Sequence, residues 1–144
     1  MLFIDASVVV AILADEEDRD DLLDRLAQHE GPFYVSPIVR LEACFALTRR
    51  RAEATGRDKP ATPEMLEETR RVVDQFFLDL EAKEILISAD VGAKALDAAQ
   101  QFGKIVNHPA KLNMGDCLSY ACAKAYRTIL AYKGNDFAFT DIGW

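Results

Sequence analysis

The sequence predicts an α/β domain built on a parallel sheet, and three observations carry that prediction. Short apolar runs recur along the chain at Leu2-Phe3-Ile4, Phe33-Tyr34-Val35, Ile85-Leu86-Ile87 and Thr128-Ile129-Leu130-Ala131. Segments with helical spacing separate them, and strands that alternate with helices pair in parallel with helices covering both faces. The 144 residues, half of them hydrophobic and 28% charged, suit one globular domain spanning 1–144 with a core of its own. No internal repeat or low-complexity segment argues for another architecture.

Taken in order, the first strand, Leu2 to Ile4, ends at Asp5, the single charge in MLFIDASVVVAILA. Asp5 and Ser7 are both candidate caps for a helix from Val8 to about Ala14, because both side chains accept hydrogen bonds from free helix N–H groups. Asp18 opens a second helix with an apolar stripe at Leu22, Leu23 and Leu26, which Gly31-Pro32 breaks. After Phe33-Tyr34-Val35, Ser36-Pro37 is a strong start signal for a helix from Ile38 to Ala52. The polar stretch ATGRDKPATP leads to another helix from about Glu64 to Leu80. Ile85-Leu86-Ile87 is expected as the third strand, with Ser88 capping a helix from Asp90 to Phe102. A loop from Gly103 to Asn113 precedes a helix from about Met114 to Tyr126. The fourth strand, Thr128 to Ala131, and the tail YKGNDFAFTDIGW complete the chain, the tail with a turn and a candidate short fifth strand.

Composition excludes several classes. The run from Ala6 to Ala14 is far short of the ~20 apolar residues a membrane helix needs. No basic stretch precedes it as in a signal peptide, so a cytoplasmic protein is expected. Cys44, Cys117 and Cys122 are odd in number, lack Cys-x-x-Cys spacing and sit among apolar or small residues, as core hydrophobes do. A net charge of −7 argues against a purely electrostatic nucleic-acid binder. A carboxylate cluster that holds metal would soften that objection, because the bound cation no longer repels phosphate. Basic residues also group at Arg49-Arg50-Arg51, at Arg57 and Lys59, and at Arg70-Arg71, although a solvated helix surface accounts for any one of them.

A few acids stand in surroundings unsuited to a surface charge. Glu42 lies four residues after Ile38 and three before Phe45, along a stripe with Leu41 that is read as apolar and core-facing. A carboxylate there needs a basic partner, for which Arg40 and Arg49 are candidates, or a cation. Asp116 is the only acid in LNMGDCLSYACAKAY and falls in the first turn of its helix, where the helix dipole alone also favours it. Gly115 beside it permits close approach by another group. Asp136 and Asp141, in KGNDFAFTD, are ordinary turn residues when taken singly. Taken together, Asp5, Asp136 and Asp141 fall at strand ends, and Glu42 and Asp116 near helix starts. In a parallel sheet these places share one edge, where ligands bind. Carboxylates converging there repel one another without a cation. Oxygen donors without a His or Cys cluster point to Mg²⁺ or Mn²⁺, metals suited to phosphodiester hydrolysis.

Four stretches, MLFIDASVVVAIL, SPIVRLEACFAL, LNMGDCLSYACAKA and KGNDFAFTDI, together resemble the PIN-domain ribonucleases and, within them, the toxins of bacterial VapBC toxin–antitoxin pairs. They occur in the family's order across nearly the whole chain. The resemblance implies a three-layer α/β/α PIN-like fold with a central parallel sheet and a Mg²⁺-dependent ribonuclease. It implies a catalytic quartet of Asp5, Glu42, Asp116 and Asp136. Metal contacts would come from Asp5, Asp116, Asp136 and Asp141, direct for Asp5 and Asp116, with Glu42, Asp136 and Asp141 completing the site through water. It also implies homodimerisation, an RNA substrate and inhibition by a VapB-type antitoxin. Ser7 and Thr140 are candidates to orient a ligand or water, with capping as the alternative. His108, in the loop before Asp116, is a candidate substrate contact. The long polar linker and helix from Ala54 to Leu80 depart from the family pattern.

Two rival readings compete with this one. A phosphoaspartyl hydrolase also carries an Asp after its first strand but needs a second one two residues on, where this chain has Ser7. A PIN-like scaffold that only binds RNA or protein would be expected to have lost some of the acids, and none is missing.

Overall fold

In the computed structural model, which describes residues 1–144, the elements run β1 (Leu2–Ile4), α1 (Ala6–Leu13), α2 (Arg19–Ala27), β2 (Phe33–Val35), α3 (Pro37–Thr55), α4 (Pro63–Asp79), β3 (Lys83–Glu84), α5 (Ala89–Phe102), α6 (Met114–Ala125) and β4 (Ile129–Ala131). The four strands form one sheet in the order β3-β2-β1-β4. All pairings are parallel, with Phe3 opposite Tyr34 on one side and Leu130 on the other. This is the α/β architecture expected from the alternating pattern. The caps are also where side-chain chemistry placed them. Ser36 and Ser88 each accept a hydrogen bond from the backbone three residues on, and Pro37 occupies a first-turn position; Thr62 and Pro63 do the same for α4, where no cap was expected.

The order of the strands locates the site. From β1 the chain moves outward through β2 to β3, then returns to place β4 on the other side of β1. The direction of winding therefore switches between β1 and β4, and the crevice beyond their carboxyl ends is the place where such sheets bind ligands. The core beneath it is closed: Leu2, Phe3, Ile4, Val8, Val9, Leu130 and Ala131 are all fully buried. The three cysteines are free and buried, as expected of core residues. No helix is long and apolar enough to cross a membrane.

Three local expectations need correction. The third strand is Lys83–Glu84 rather than Ile85-Leu86-Ile87. Ile85 still donates its N–H to Val35 O at 2.9 Å, but β2 ends at Val35 and Ser36 already caps α3. Pairing stops because the neighbouring strand stops, and Leu86 is left 81% exposed. The tail forms no fifth strand. It folds into successive turns, with Ala138 N–H on Asn135 O and Thr140 N–H on Phe137 O, around the buried Phe137 ring. On α3 the core-facing residues are Val39, Ala43, Cys44 and Leu47, whereas Leu41 and Phe45 are about half exposed at 48% and 47%. Glu42 thus lies at the border of the core face rather than within a stripe made by Ile38, Leu41 and Phe45.

Candidate active site

Asp5 leaves β1 at its carboxyl end, tied to β4 by its N–H on Ala131 O at 2.9 Å. It does cap α1: its Oδ2 accepts from the Ser7 N–H at 3.0 Å. Its second oxygen faces α6, where Oδ1 accepts from the Ser119 hydroxyl at 2.7 Å. Both side chains are buried. Ser7 uses its own hydroxyl to accept from the Lys133 N–H at 3.0 Å, joining α1 to the segment after β4.

Asp116 reaches the same edge from the first turn of α6. Its carboxylate accepts from the Asn113 N–H at 3.0 Å while its own N–H donates to Asn113 Oδ1 at 2.9 Å, a reciprocal capping box. Glu42 crosses to it from α3. Its carboxylate lies directly over Gly115, so close that a Cβ on Gly115 would stand 2.6 Å from Glu42 Cδ and 2.8 Å from Oε2. The glycine beside Asp116 therefore makes room for an acid from a neighbouring helix. Neither candidate arginine serves Glu42. Arg40 grips Asp74 of α4 with Nε and Nη2 at 2.7 and 2.8 Å, and Arg49 forms no ion pair.

The electrostatics bring four of the acids together. Burial pushes Asp116 up to about 7, and the charges of Asp5, Asp136 and Glu42 add to the rise against the opposing Asn113 hydrogen bond. Glu42 is also raised, first by burial and then by Asp5. No cation offsets either shift. Asp136 sits on the exposed turn after β4. Asp141 stands apart from the group, because its carboxylate is held by Lys124 Nζ at 2.8 Å and by the Tyr120 hydroxyl, which keep it below its usual range.

The other candidates have structural work. Thr140 donates to Phe137 O and accepts from the Ile142 N–H within the tail. His108 Nδ1 accepts from the Ala110 N–H, and its ring stands edge-on to Phe102 at 5.4 Å. Ser119 is the contact that sequence reasoning passed over. Its signal was available, since three residues after Asp116 on a helix is the same face.

No three Asp, Glu, His or Cys side chains are arranged as a ready metal-binding group. Asp116 feels the charges of Asp5, Asp136 and Glu42, while Asp5 and Asp116 spend part of their oxygens on the caps. The donor set nonetheless fits a hard divalent cation: it is all oxygen, and a carboxylate has lone pairs beyond those the caps occupy.

A short parallel sheet with acids converging at its switch point defines a class, and a model of the PIN domain matches residues 2–143, so the chain belongs to the PIN-domain family. Within that family its similarity runs to the VapC ribonucleases. A VapC ribonuclease of Rhizobium meliloti (strain 1021) is 47% identical over 143 residues, covering 99% of this chain and 100% of the relative. Ribonuclease VapC42 of Mycobacterium tuberculosis is 30% identical over 141 residues, 98% of this chain and 96% of the relative. Among solved structures, Mycobacterium tuberculosis VapC20, a sarcin–ricin loop cleaving toxin, superposes with a TM-score of 0.72 at 16% identity, covering 99% of this chain and 96% of that one. A toxin–antitoxin complex from Klebsiella pneumoniae follows at 0.65 and 16%, covering 98% and 93%. At that identity the structures speak for the fold.

Proposed function

We propose that this chain is a Mg²⁺-dependent ribonuclease, with Mn²⁺ as a substitute, acting as the toxin of a toxin–antitoxin pair in the cytoplasm. The observation that carries the reading is the gathering of acids at one sheet edge, with Asp5 pinned by Ser7 and Ser119, Asp116 held by Asn113, Glu42 lying over Gly115 beside it, and no base against any of them. Its support from relatedness is the end-to-end similarity to VapC ribonucleases. Asp5 and Asp116 would hold the cation directly, with Asp136 and Glu42 completing the acidic edge. A bound divalent cation supplies Lewis-acid stabilisation of phosphoryl charge and lowers the pKa of water. The chain's own part is to fix these carboxylates on rigid elements with no base against them, so that their charge is left for a cation. Asp5 is fixed by Ser7 and Ser119, Asp116 by Asn113, and Glu42 by its berth over Gly115. Asp141 acts through the position of the tail that it ties to α6.

The partners follow from the same family. The substrate is RNA, and the inhibitor is a VapB-type antitoxin, as the toxin–antitoxin complexes among the structural neighbours support. A homodimer is supported by the apolar cleft of about 560 Å³ between α5 and α6, where Leu96, Ile105 and Met114 are 70%, 88% and 77% exposed. A second reading, a PIN-like scaffold that binds RNA or protein without cutting, rests on the lack of a closed ligand group. Incubation of the purified protein with mixed RNA, in Mg²⁺ and in excess chelator, separates the two. Cleavage that the chelator abolishes is expected. RNA left intact in Mg²⁺, or cut equally in chelator, overturns the metal-dependent reading.

A further inference from the structure

Building on that reading, we propose that Ser119 is a positioning residue for the cation, holding the Asp5 carboxylate in the orientation from which it binds metal. The hydroxyl meets Asp5 Oδ1 at 2.7 Å while the Ser7 N–H holds Oδ2 at 3.0 Å. One donor on each oxygen fixes the plane of the carboxylate, and its remaining lone pairs stay free.

The cap of α1 does not explain this contact. Capping uses Oδ2 alone, and Ser119 belongs to a different element, reaching Asp5 across 114 positions of chain. Nor does helix stability explain it, because serine is a poorer interior helix residue than alanine and α6 has alanine at 121, 123 and 125. The kind of donor is informative. Three acids that tie elements together face cations: Asp74 faces Arg40, Asp141 faces Lys124, and Glu16 faces Lys133 and Arg50. Asp5 is anchored by two neutral donors, which orient it without offsetting the charge that a hard cation needs. Ser119 also lies one helical turn from Asp116, so a single rigid helix supplies one ligand and aligns the other. Loss of such an outer partner typically weakens metal affinity 10–100-fold.

The test is Mn²⁺ binding by calorimetry at pH 8 to the full chain without RNA, comparing wild type, Ser119→Ala, Ser119→Thr and Asp5→Asn. Ser119→Ala is expected to weaken Mn²⁺ binding 10–100-fold, and Ser119→Thr, which keeps the hydroxyl, to stay near wild type. A merely structural hydroxyl would change the melting temperature and leave Mn²⁺ affinity alone. Unchanged affinity in Ser119→Ala, beside impaired binding in Asp5→Asn, overturns the role of Ser119 and leaves the acidic site standing. Unchanged affinity in Asp5→Asn overturns the site and Ser119 with it. If Ser119→Ala does not fold, Ser119→Cys, a weak donor of similar size, decides the question by the same titration.

Discussion

Asp74 and Asp116 are both half-buried aspartates on helices, yet their carboxyl groups shift in opposite directions. Asp74 lies between α3 and α4, where the Arg40 guanidinium holds it below the ordinary range. Asp116 lies at the switch between β1 and β4, where burial and three neighbouring carboxylates raise it to about 7. Glu16 and Asp141 behave like Asp74, each with a base against it, and Glu42 behaves like Asp116. The chain sets cations against Asp74, Asp141 and Glu16 and none against Asp116 or Glu42. Uncompensated acids destabilise a fold, and a bound cation, as in the proposed function, would supply the missing compensation.

The comparison breaks most sharply by removing charge from each side. Asp5→Asn should fold because Asn caps helices about as well as Asp, and Asp116→Asn because an amide oxygen can still accept from the Asn113 N–H. Each should lose more than about 100-fold in RNA cleavage, beyond the 10–100-fold typical of groups that merely support a ligand. Glu42→Gln and Asp136→Asn should lose less. Asp74→Asn should cost roughly 1 kcal/mol of stability, as for a partly exposed ion pair, and leave cleavage unchanged. Cleavage rates at saturating Mg²⁺ decide it: wild-type activity in Asp5→Asn returns Asp5 to the rank of a helix cap.

A second contrast uses two glycines. At Gly115 an added methyl must displace the Glu42 carboxylate, whereas at Gly92 in α5 it meets nothing within 4 Å. Both substitutions gain about 1 kcal/mol of helix propensity, and at Gly115 the displaced group is the flexible end of a side chain. Gly115→Ala should therefore stay folded and lose about tenfold in cleavage, on the scale of a misplaced supporting group. Gly92→Ala should melt slightly higher with activity intact. Equal activity in the two variants would show that the berth of Glu42 has no part in the chemistry.

Much of this was legible in the residues, for identifiable reasons. Asp5, Glu42, Asp116 and Asp136 could be grouped because parallel topology puts strand ends and following helix starts on one edge. Caps were legible because they depend on neighbouring atoms alone. The third strand was misplaced because Ile85-Leu86-Ile87 advertises burial, whereas pairing on an outer strand depends on how far β2 extends. The orientation of α3 was misjudged because Leu41 and Phe45 are apolar but border the groove against α4. Asp141 could not be separated from the other acids in advance, since Lys124 and Tyr120 meet it only after α6 and the tail are packed. Ser119 was missed although its spacing from Asp116 puts it on the same helix face, because nothing local to α6 names its partner, Asp5, 114 positions away.

The acidic edge also has a pH signature. Asp116 titrates near 7 when folded against an ordinary 3.8, so folding favours its protonated form. The metal-free protein should lose stability as pH rises from about 4 through 7 and the group ionises. A cation that binds only the folded, ionised site reverses this. At about 100 times its Kd it adds about 2.7 kcal/mol, roughly 5–10 °C in Tm for a chain of this size. Mg²⁺ should thus raise Tm more at pH 8 than at pH 5. A melting curve indifferent to millimolar Mg²⁺ at pH 8 would count heavily against a shared site.

The smallest expected effect separates paired from unpaired arginines. Arg50, Arg51 and Arg71 already face Glu16, Glu68 and Glu67, while Arg49 and Arg70 form no ion pair. The two free guanidinium groups edge neighbouring clefts between α3 and α4 that share the half-exposed Phe45 and Leu66. Positive charge without an internal partner, beside exposed apolar surface, is what an acidic ligand or an antitoxin segment requires. Neutralising Arg49 and Arg70 together should weaken binding of RNA or antitoxin a few-fold. Where the ligand is single-stranded RNA, the slope of log affinity against log salt should flatten by about 0.7 for each phosphate that no longer meets a positive charge. Neutralising Arg51 and Arg71 instead should change neither, because their charges are already spent on α4. Should both double variants bind RNA and antitoxin like wild type at every salt concentration, all four arginines are solvated surface, and the half-buried acids of the β1–β4 edge remain the charges whose surroundings call for a ligand.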